Sequence, residues 1–169
     1  MQPTTFLAAA AVAFSSFVSV AADHRIQFHN RCGSTITPKW LGNGSRDLQS
    51  GPTLGPGASG EGWIPEYWTA GRLYGQDGRC PEPDGPNCTL FECSFENRGF
   101  NQCNISLVSG FNVGMSFNWI GGDGSCQGGK SCTHGGCPAS DAWLAPDSCF
   151  GCLSQCNTPG VGIEIVFCP

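Results

Sequence analysis

Glu92 is a carboxylate that could do chemistry, and its segment, Thr89-Leu-Phe-Glu-Cys-Ser-Phe-Glu96, alternates like a half-buried β-strand. A period of two sends Phe91, Cys93 and Phe95 to one face, which we expect to be buried. The opposite face, which we expect to be wet, carries Leu90, Glu92, Ser94 and Glu96.

Hydrolysis of a glycosidic bond would need a second carboxyl group about 5 to 9.5 Å from the first. Glu96 does not fit, because four residues of extended chain separate it from Glu92 by roughly 13 Å. A second acid would come from another segment, with Asp77, Asp123 and Asp141 as candidates. A glutamate on a wet strand face is usually a solvated surface charge. Because Glu92 alone cannot supply both carboxyl groups, a binding role is favoured over catalysis.

Aromatic side chains offer a second kind of chemistry. Flat rings can cover the apolar faces of sugar units, while amides and hydroxyls bond the sugar OH groups. We assign Tyr74 and Trp119 to binding, and we expect about half of all these rings to fill the core instead. The full set of candidates is Trp63, Tyr67, Trp68, Tyr74, Trp119 and Trp143.

All 12 cysteines lie after residue 22, and their even number predicts six disulfides in an oxidising compartment. Cys149-Phe-Gly-Cys152 has the spacing of a redox or zinc motif, but a structural disulfide is favoured in such a chain. The three histidines show no metal-ligand spacing. We therefore expect no metal and no cofactor.

The first 22 residues have no charged side chain and hold an apolar run from Phe6 to Phe14, which is typical of a signal peptide. Small residues, Val20 and Ala22, precede a cut ahead of Asp23. The alternative, a membrane anchor, is disfavoured because the run is too short to cross about 30 Å of hydrocarbon. We expect a signal peptide over 1–22 and one domain over 23–169, secreted to the extracellular space or the cell wall.

The formal charge is −5, from 8 lysines and arginines against 13 aspartates and glutamates. This acidic balance argues against nucleic acid or an anionic membrane as the partner. We expect a monomer with no membrane span.

Short β-like segments bounded by Gly, Pro and Asn recur along the chain, whereas a helical period is hard to find. With 25 glycines and 12 prolines, much of the chain is turn and loop, above all over 41–60 and 121–157. The sequence predicts an all-β fold with strands at 25–30, 35–40, 69–74, 89–95, 105–108, 113–118 and 162–167.

Several segments resemble, in order, those of the thaumatin-like proteins. The resemblance implies a disulfide-rich β-sandwich with long loops and little helix, in a short form without the family's cysteine-rich second domain. The segments are Ile26-Gln-Phe-His-Asn-Arg-Cys32, Gly71-Arg-Leu-Tyr74, Thr89-Leu-Phe-Glu92, Ile105-Ser-Leu-Val-Ser-Gly-Phe-Asn-Val-Gly-Met115 and Ile163-Glu-Ile-Val-Phe-Cys-Pro169.

The resemblance also implies disulfide pairings. Cys32 would pair with Cys168 and tie the first strand to the last, and Cys80 would pair with Cys88 across a local loop. We further expect Cys93 to pair with Cys103, and Cys126 with Cys156. The pairing among Cys132, Cys137, Cys149 and Cys152 stays open.

Larger members of this family carry a cleft of one arginine, one glutamate and several aspartates that is associated with binding, and sometimes hydrolysis, of β-1,3-glucan. By resemblance, Glu92 matches the glutamate, Gln76 stands at the arginine, and Asn104 and Ser109 stand at two aspartates. Asp141 is a stand-in for a further acid. The resemblance implies a cell-wall β-1,3-glucan binder with a wall-remodelling, defence or antifungal role. The alternatives are a weak endo-β-1,3-glucanase and an inhibitor of a foreign glycanase or protease.

Three N-x-Ser/Thr sequons predict glycosylation at Asn43, Asn87 and Asn104. A glycan on Asn104 would crowd the mouth of the implied cleft and would count against substrate processing. The alternative is an unused sequon buried in a strand.

Overall fold

The computed structural model describes residues 23–96 and 100–169, so the predicted signal peptide lies outside the described residues. The all-β fold is confirmed, because this part of the chain forms strands and no helix. Accordingly, no helix in it could cross a membrane. The strands are β1 (His24–Asn30), β2 (Thr37–Leu41), β3 (Gln49–Ser50), β4 (Ser59–Ile64), β5 (Trp68–Gln76), β6 (Leu90–Phe95), β7 (Asn101–Ser106), β8 (Met115–Ile120), β9 (Lys130–Cys132), β10 (Ser154–Cys156) and β11 (Gly162–Phe167).

These strands form two sheets. The five-stranded sheet has the order β4-β1-β11-β8-β9, and the six-stranded sheet has the order β10-β7-β6-β5-β2-β3. β1 and β11 pair in parallel, whereas all other paired neighbours are antiparallel. The two sheets enclose the main core.

The core takes alternate side chains from the facing strands. Ile26 and Phe28 on β1 are fully buried, and so are Phe91 and Phe95 on β6, as alternation predicts. Rings from the two sheets meet edge to face; the centroids of Phe91 and Phe117 lie 5.1 Å apart. This contact joins β6, in the middle of the six-stranded sheet, to β8 of the other sheet.

The outer face of the six-stranded sheet is not uniformly wet. The prediction for Leu90 was wrong, because its side chain is only 3% exposed and packs with Tyr74 in a second small apolar cluster. The loop closed by the Cys80–Cys88 disulfide lies in the same cluster and covers both side chains. The wet part of this face therefore begins beyond Leu90, at Glu92.

Four strands lie in segments that the sequence predicts to be loops or does not assign to a strand. β3 and the start of β4 lie within 41–60, and β9 and β10 lie within 121–157. β4 was missed because its glycines suggest a loop, but they are required by close packing. A Cβ on Gly62 would lie 2.9 Å from the ring of Trp40. β7 also begins at Asn101, earlier than predicted, because amides precede its apolar residues.

Six disulfides connect the described part of the chain, and four of them have the predicted pairing, two of which the resemblance implied. The four cysteines whose pairing was open form two short local bridges. The pairs are Cys32–Cys168, Cys80–Cys88, Cys93–Cys103, Cys126–Cys156, Cys132–Cys137 and Cys149–Cys152.

Candidate functional site

A row of three polar side chains crosses the outer face of the six-stranded sheet. Arg72 on β5 lies opposite Glu92 on β6, and Glu92 lies opposite Asn104 on β7. Because directly opposed residues of antiparallel strands point to the same face, the three side chains are neighbours. Asn104 Nδ2 donates a hydrogen bond to Glu92 Oε2 at 3.2 Å.

This row forms the floor of an open cleft of about 420 Å³. The size is within the range of small-ligand sites. Among the described residues that line it, Glu92 is the only carboxylate and Arg72 the only cation. The lining residues are Asn43, Ala70, Gly71, Arg72, Glu92, Cys93, Ser94, Gln102, Asn104, Trp143 and Leu153.

Arg72 is the cation of the cleft, and sequence reasoning assigned that position to Gln76. Its Nη1 lies 3.0 Å from Asp84 Oδ1, in the loop between Cys80 and Cys88. The sequence did offer Arg72 as a candidate for this position, because alternation places Arg72 and Gln76 on the same strand face. Only the strand register shows that Arg72 is the one opposite Glu92.

Gln76 itself does not line the cleft. Its Oε1 accepts hydrogen bonds from the backbone N–H groups of Gly78 and Cys80, and its Nε2 donates to the Cys80 carbonyl at 2.8 Å. These bonds occupy both ends of the amide within the turn that follows β5. The assignment of Gln76 to binding is therefore corrected to a role in the turn.

Tyr74 is also corrected, because its side chain is fully buried and presents no ring to a ligand. Its hydroxyl donates to the Pro83 carbonyl at 3.1 Å. Burial, followed by the nearby charges of Glu82 and Asp84, raises the pKa of Tyr74 to about 12. The residue holds the 80–88 loop against the sheet.

Trp119 and Ser109 lie outside the cleft as well. Trp119 packs edge-on against Phe95 in the core, and its Nε1 donates to Ser154 Oγ at 2.8 Å. Ser109 is exposed, and its carbonyl accepts a hydrogen bond from the Asn87 N–H. Of the predicted binding residues, only Asn104 lies beside Glu92.

None of the candidate second acids lines the cleft. Asp77 pairs with Arg79 in the turn after β5, and Asp123 accepts a hydrogen bond from the Ser125 N–H. Asp141 lies in a turn in which its N–H bonds the Pro138 carbonyl. The structure therefore does not place Asp141 with Glu92 as a catalytic pair.

Trp143 forms one wall of the cleft, two residues after Asp141. Its N–H and carbonyl bond to Ile105 and Leu107, so the segment runs alongside the end of β7. The indole Nε1–H is buried and has no hydrogen-bond partner among the described residues. Trp143 thus lines the cleft as an aromatic residue whose indole N–H is turned away from solvent.

A β-bulge shapes the opposite wall. Between Trp68 and Gly71 the register of β5 against β6 shifts, and Ala70 has a φ of 43°. An extra residue on one strand lets both Trp68 and Gly71 point to the core. The bulge also brings the Ala70 N–H to Ser94 Oγ at 2.9 Å, at the edge of the cleft.

The three predicted glycosylation sites differ in exposure. Asn43 and Asn87 are exposed, whereas Asn104 is only 6% exposed and its Nδ2 is bonded to Glu92. A glycan attached at Asn104 Nδ2 would disrupt that bond, which favours the alternative, an unused sequon in a strand. Asn43, by contrast, lines the cleft.

Comparison with protein-family models finds no match. Among curated proteins, the pathogenesis-related thaumatin-like protein 3.5 of Cryptomeria japonica is 30% identical over 151 residues, covering 75% of this chain and 62% of that protein. The chain thus spans about three fifths of the length of that relative.

Two solved structures share the fold. The thaumatin-like xylanase inhibitor TLXI matches with a TM-score of 0.63 and 21% identity, over 85% of this chain and 99% of the inhibitor. The protein elicitor MoHrip2 from Magnaporthe oryzae matches with a TM-score of 0.59 and 17% identity, over 86% of this chain and 99% of the elicitor. The chain thus has a thaumatin-like fold, and its sequence is similar to that of a thaumatin-like protein.

Proposed function

We propose that this chain is a secreted defence protein that binds cell-wall β-1,3-glucan in the cleft of Arg72, Glu92 and Asn104 without cleaving it. The observation that carries the proposal is that Glu92 is the only carboxylate among the described residues that line the cleft. Glycoside hydrolysis needs two. Recognition of a neutral sugar needs only donors and acceptors beside an apolar wall.

The cleft supplies these groups. Glu92 and the Asn104 side chain accept and donate hydrogen bonds, and Ser94 and Gln102 add a hydroxyl and an amide to the same lining. Trp143 supplies an aromatic side chain to the lining. Arg72 pairs with Asp84, which does not line the cleft. The positive charge of Arg72 is therefore already balanced, and the cleft does not require an anionic ligand.

Secretion and a defence role rest on separate observations. Six disulfides fit an oxidising compartment. The relative from Cryptomeria japonica is described as pathogenesis-related. We accordingly propose that residues 1–22 are a signal peptide and that 23–169 form the exported domain.

Co-sedimentation with insoluble β-1,3-glucan tests this proposal. We expect the wild-type protein to sediment with the polymer and to release no reducing ends. Asn104→Ala should weaken binding about tenfold, because it removes one hydrogen-bonding amide beside a charged group. Ser109→Ala is the matched control, because Ser109 is an exposed polar residue outside the cleft. A protein that stays in the supernatant would refute the proposal, and release of reducing ends would favour the glucanase alternative.

A second candidate function, inhibition of a foreign glycanase, is favoured by one exposed loop. Phe150 is 74% exposed between the disulfide-bonded Cys149 and Cys152. Lys130 Nζ donates to the Gly151 carbonyl at 2.6 Å and ties the loop to β9. A rigid loop with an exposed aromatic residue is typical of an anchor in a protein interface, and TLXI is described as a xylanase inhibitor.

Inhibition of a secreted microbial xylanase or β-1,3-glucanase tests this candidate. We expect Phe150→Ala to cost roughly 2 kcal/mol of binding free energy, as for an interface anchor. Val108→Ala is the control, because Val108 is 45% exposed outside this loop. Equal inhibition by both variants would exclude Phe150 as the anchor, and no inhibition by the wild-type protein would exclude the function for the enzymes tested.

A further inference from the structure

A second concave surface, the tryptophan crevice, lies between β4 and the ends of β2 and β5, and its volume is about 400 Å³. It is distinct from the Glu92 cleft, with which it shares no lining residue. The lining residues are Asp23, Trp40, Leu41, Gly42, Ser45, Asp47, Gln49, Trp63, Ile64, Pro65 and Trp68.

Three indoles give the crevice its shape. Trp40 and Trp68 are almost fully buried and form its floor, whereas Trp63 on the edge strand β4 is 56% exposed. Gly42 leaves the ring of Trp68 uncovered, since a Cβ there would lie 3.2 Å from Trp68 Nε1. An indole that is more than half exposed at the mouth of a crevice is available for stacking against a flat apolar surface.

The other lining side chains are polar or acidic. Asp23, Asp47 and Gln49 are exposed there, and Ser45 is partly exposed. Among the described residues that line the crevice, none is a lysine, arginine or histidine. This composition disfavours phosphate, sulfate and acidic sugars, which require cations. Hydrogen-bond acceptors beside a flat ring are instead suited to a neutral, hydroxyl-rich ligand.

The crevice and the Glu92 cleft lie on opposite sides of one short ridge. In the turn at 42–45, Gly42 and Ser45 line the crevice and Asn43 lines the cleft. On β5, Trp68 lines the crevice and Ala70 lines the cleft. The two halves of the ridge are joined by a hydrogen bond from the Asn43 N–H to the Thr69 carbonyl, at 3.2 Å.

We propose that the tryptophan crevice is a second subsite for the same neutral glucan chain, in which a pyranose ring stacks on Trp63 and its hydroxyls bond Asp23, Asp47 and Gln49. The proposal rests on the proposed function of the Glu92 cleft and adds that one polymer strand crosses the ridge at Asn43 and occupies both sites. Long chains are then preferred over short ones, because short chains fill only the Glu92 cleft.

Titration with soluble β-1,3-linked gluco-oligosaccharides of increasing length tests the inference. In an NMR spectrum of the ¹⁵N-labelled protein, the five tryptophans contribute indole N–H signals, and the signal lost in Trp63→Ala identifies Trp63. We expect that signal to shift with long oligosaccharides. Calorimetry should show that Trp63→Ala binds long chains about tenfold more weakly, the upper range of an aromatic contact, and short chains equally well.

Tyr67→Ala is the matched control, because Tyr67 is 54% exposed close by in the chain but does not line the crevice. Unchanged affinity of Tyr67→Ala together with the loss in Trp63→Ala supports the subsite. If Asn104→Ala weakens binding but Trp63→Ala does not at any chain length, the inference is overturned and the proposed function stands. If neither variant changes the affinity, both are overturned.

Discussion

Asn104 and Glu92 lie opposite each other on β7 and β6, and the Asn104 amide donates to the Glu92 carboxylate at 3.2 Å. The neighbour of Glu92, the one acid among the cleft-lining residues that the structure describes, is thus a neutral amide. A carboxylate that accepts a hydrogen bond from an amide can also accept hydrogen bonds from sugar hydroxyls. Hydrolysis of a glycosidic bond needs a second carboxyl group, which the described lining residues do not supply.

The charge of Glu92 should matter little if the cleft only binds neutral glucan. We expect Glu92→Gln to bind β-1,3-glucan within about twofold of the wild-type protein, because glutamine still bonds hydroxyls. Glu92→Ala should weaken binding about tenfold, since the hydrogen bonds are lost. Calorimetry measures both. A glucanase activity that Glu92→Gln abolishes would contradict this account, and such an activity retained in Glu92→Gln would show that Glu92 is not its catalytic residue.

Alternation alone was sufficient to predict the faces of β6 beyond Leu90. Phe91 and Phe95 are buried and Glu92 is partly exposed, because a period of two is a local property of the strand. The position of Arg72 opposite Glu92 was not predicted, because it depends on the register between strands, which is set by contacts distant in sequence. Gln76 was chosen by resemblance, and its amide instead organises a turn.

The tryptophan crevice could not be predicted for a related reason. Its walls are formed by β4 and by the turn after β2. The glycines of β4 suggest a loop, so that strand was not predicted from the sequence. Tyr74 was misassigned because the loop closed by Cys80 and Cys88 covers it. No periodic pattern in the sequence indicates which side chains of a strand a loop will cover.

Gly71 has no room for a side chain, because a Cβ there would overlap the ring of Trp68. We expect Gly71→Ala to lower the free energy of unfolding by about 2 kcal/mol, as for an overpacked core. Gly33→Ala is the control, since nothing lies within 4 Å of a Cβ at Gly33. Chemical unfolding with the disulfides intact measures the difference. Equal stability of the two variants would contradict the bulge geometry.

Glycosylation should occur at exposed sequons and should affect the cleft only at Asn43. In protein secreted from a eukaryotic host, mass spectrometry should find Asn104 unmodified. A glycan on Asn43 would stand at the cleft, so Asn43→Gln should bind glucan more tightly than the glycosylated protein. Asn87→Gln is the control, because Asn87 does not line the cleft. A glycan on Asn104 would contradict its buried bond to Glu92.

Asp77 should make stability depend on pH. Burial alone raises the pKa of Asp77, but hydrogen bonds from Arg79 and Asn112 outweigh burial and lower the pKa below its ordinary value. The folded state therefore favours the ionised form. The resulting stability is present above the ordinary pKa, near 4, and is lost as the pH falls through the lower folded value.

Asp77→Asn should accordingly be less stable than the wild-type protein by about 1 kcal/mol at neutral pH. The difference should be smaller at acidic pH, below the ordinary pKa of an aspartate near 4, because the wild-type carboxyl then takes up a proton as the pH falls through its lower folded pKa. Urea unfolding at the two pH values measures it. A difference of the same size at both would show that the charge of Asp77 is not responsible.

The position of a bound glucan tests the central claim most directly. In a crystal structure with a β-1,3-linked oligosaccharide, we predict sugar hydroxyls within hydrogen-bonding distance of Glu92 and Asn104, and an intact glycosidic bond. An oligosaccharide bound only elsewhere, or a cleaved one in the cleft, would contradict the account.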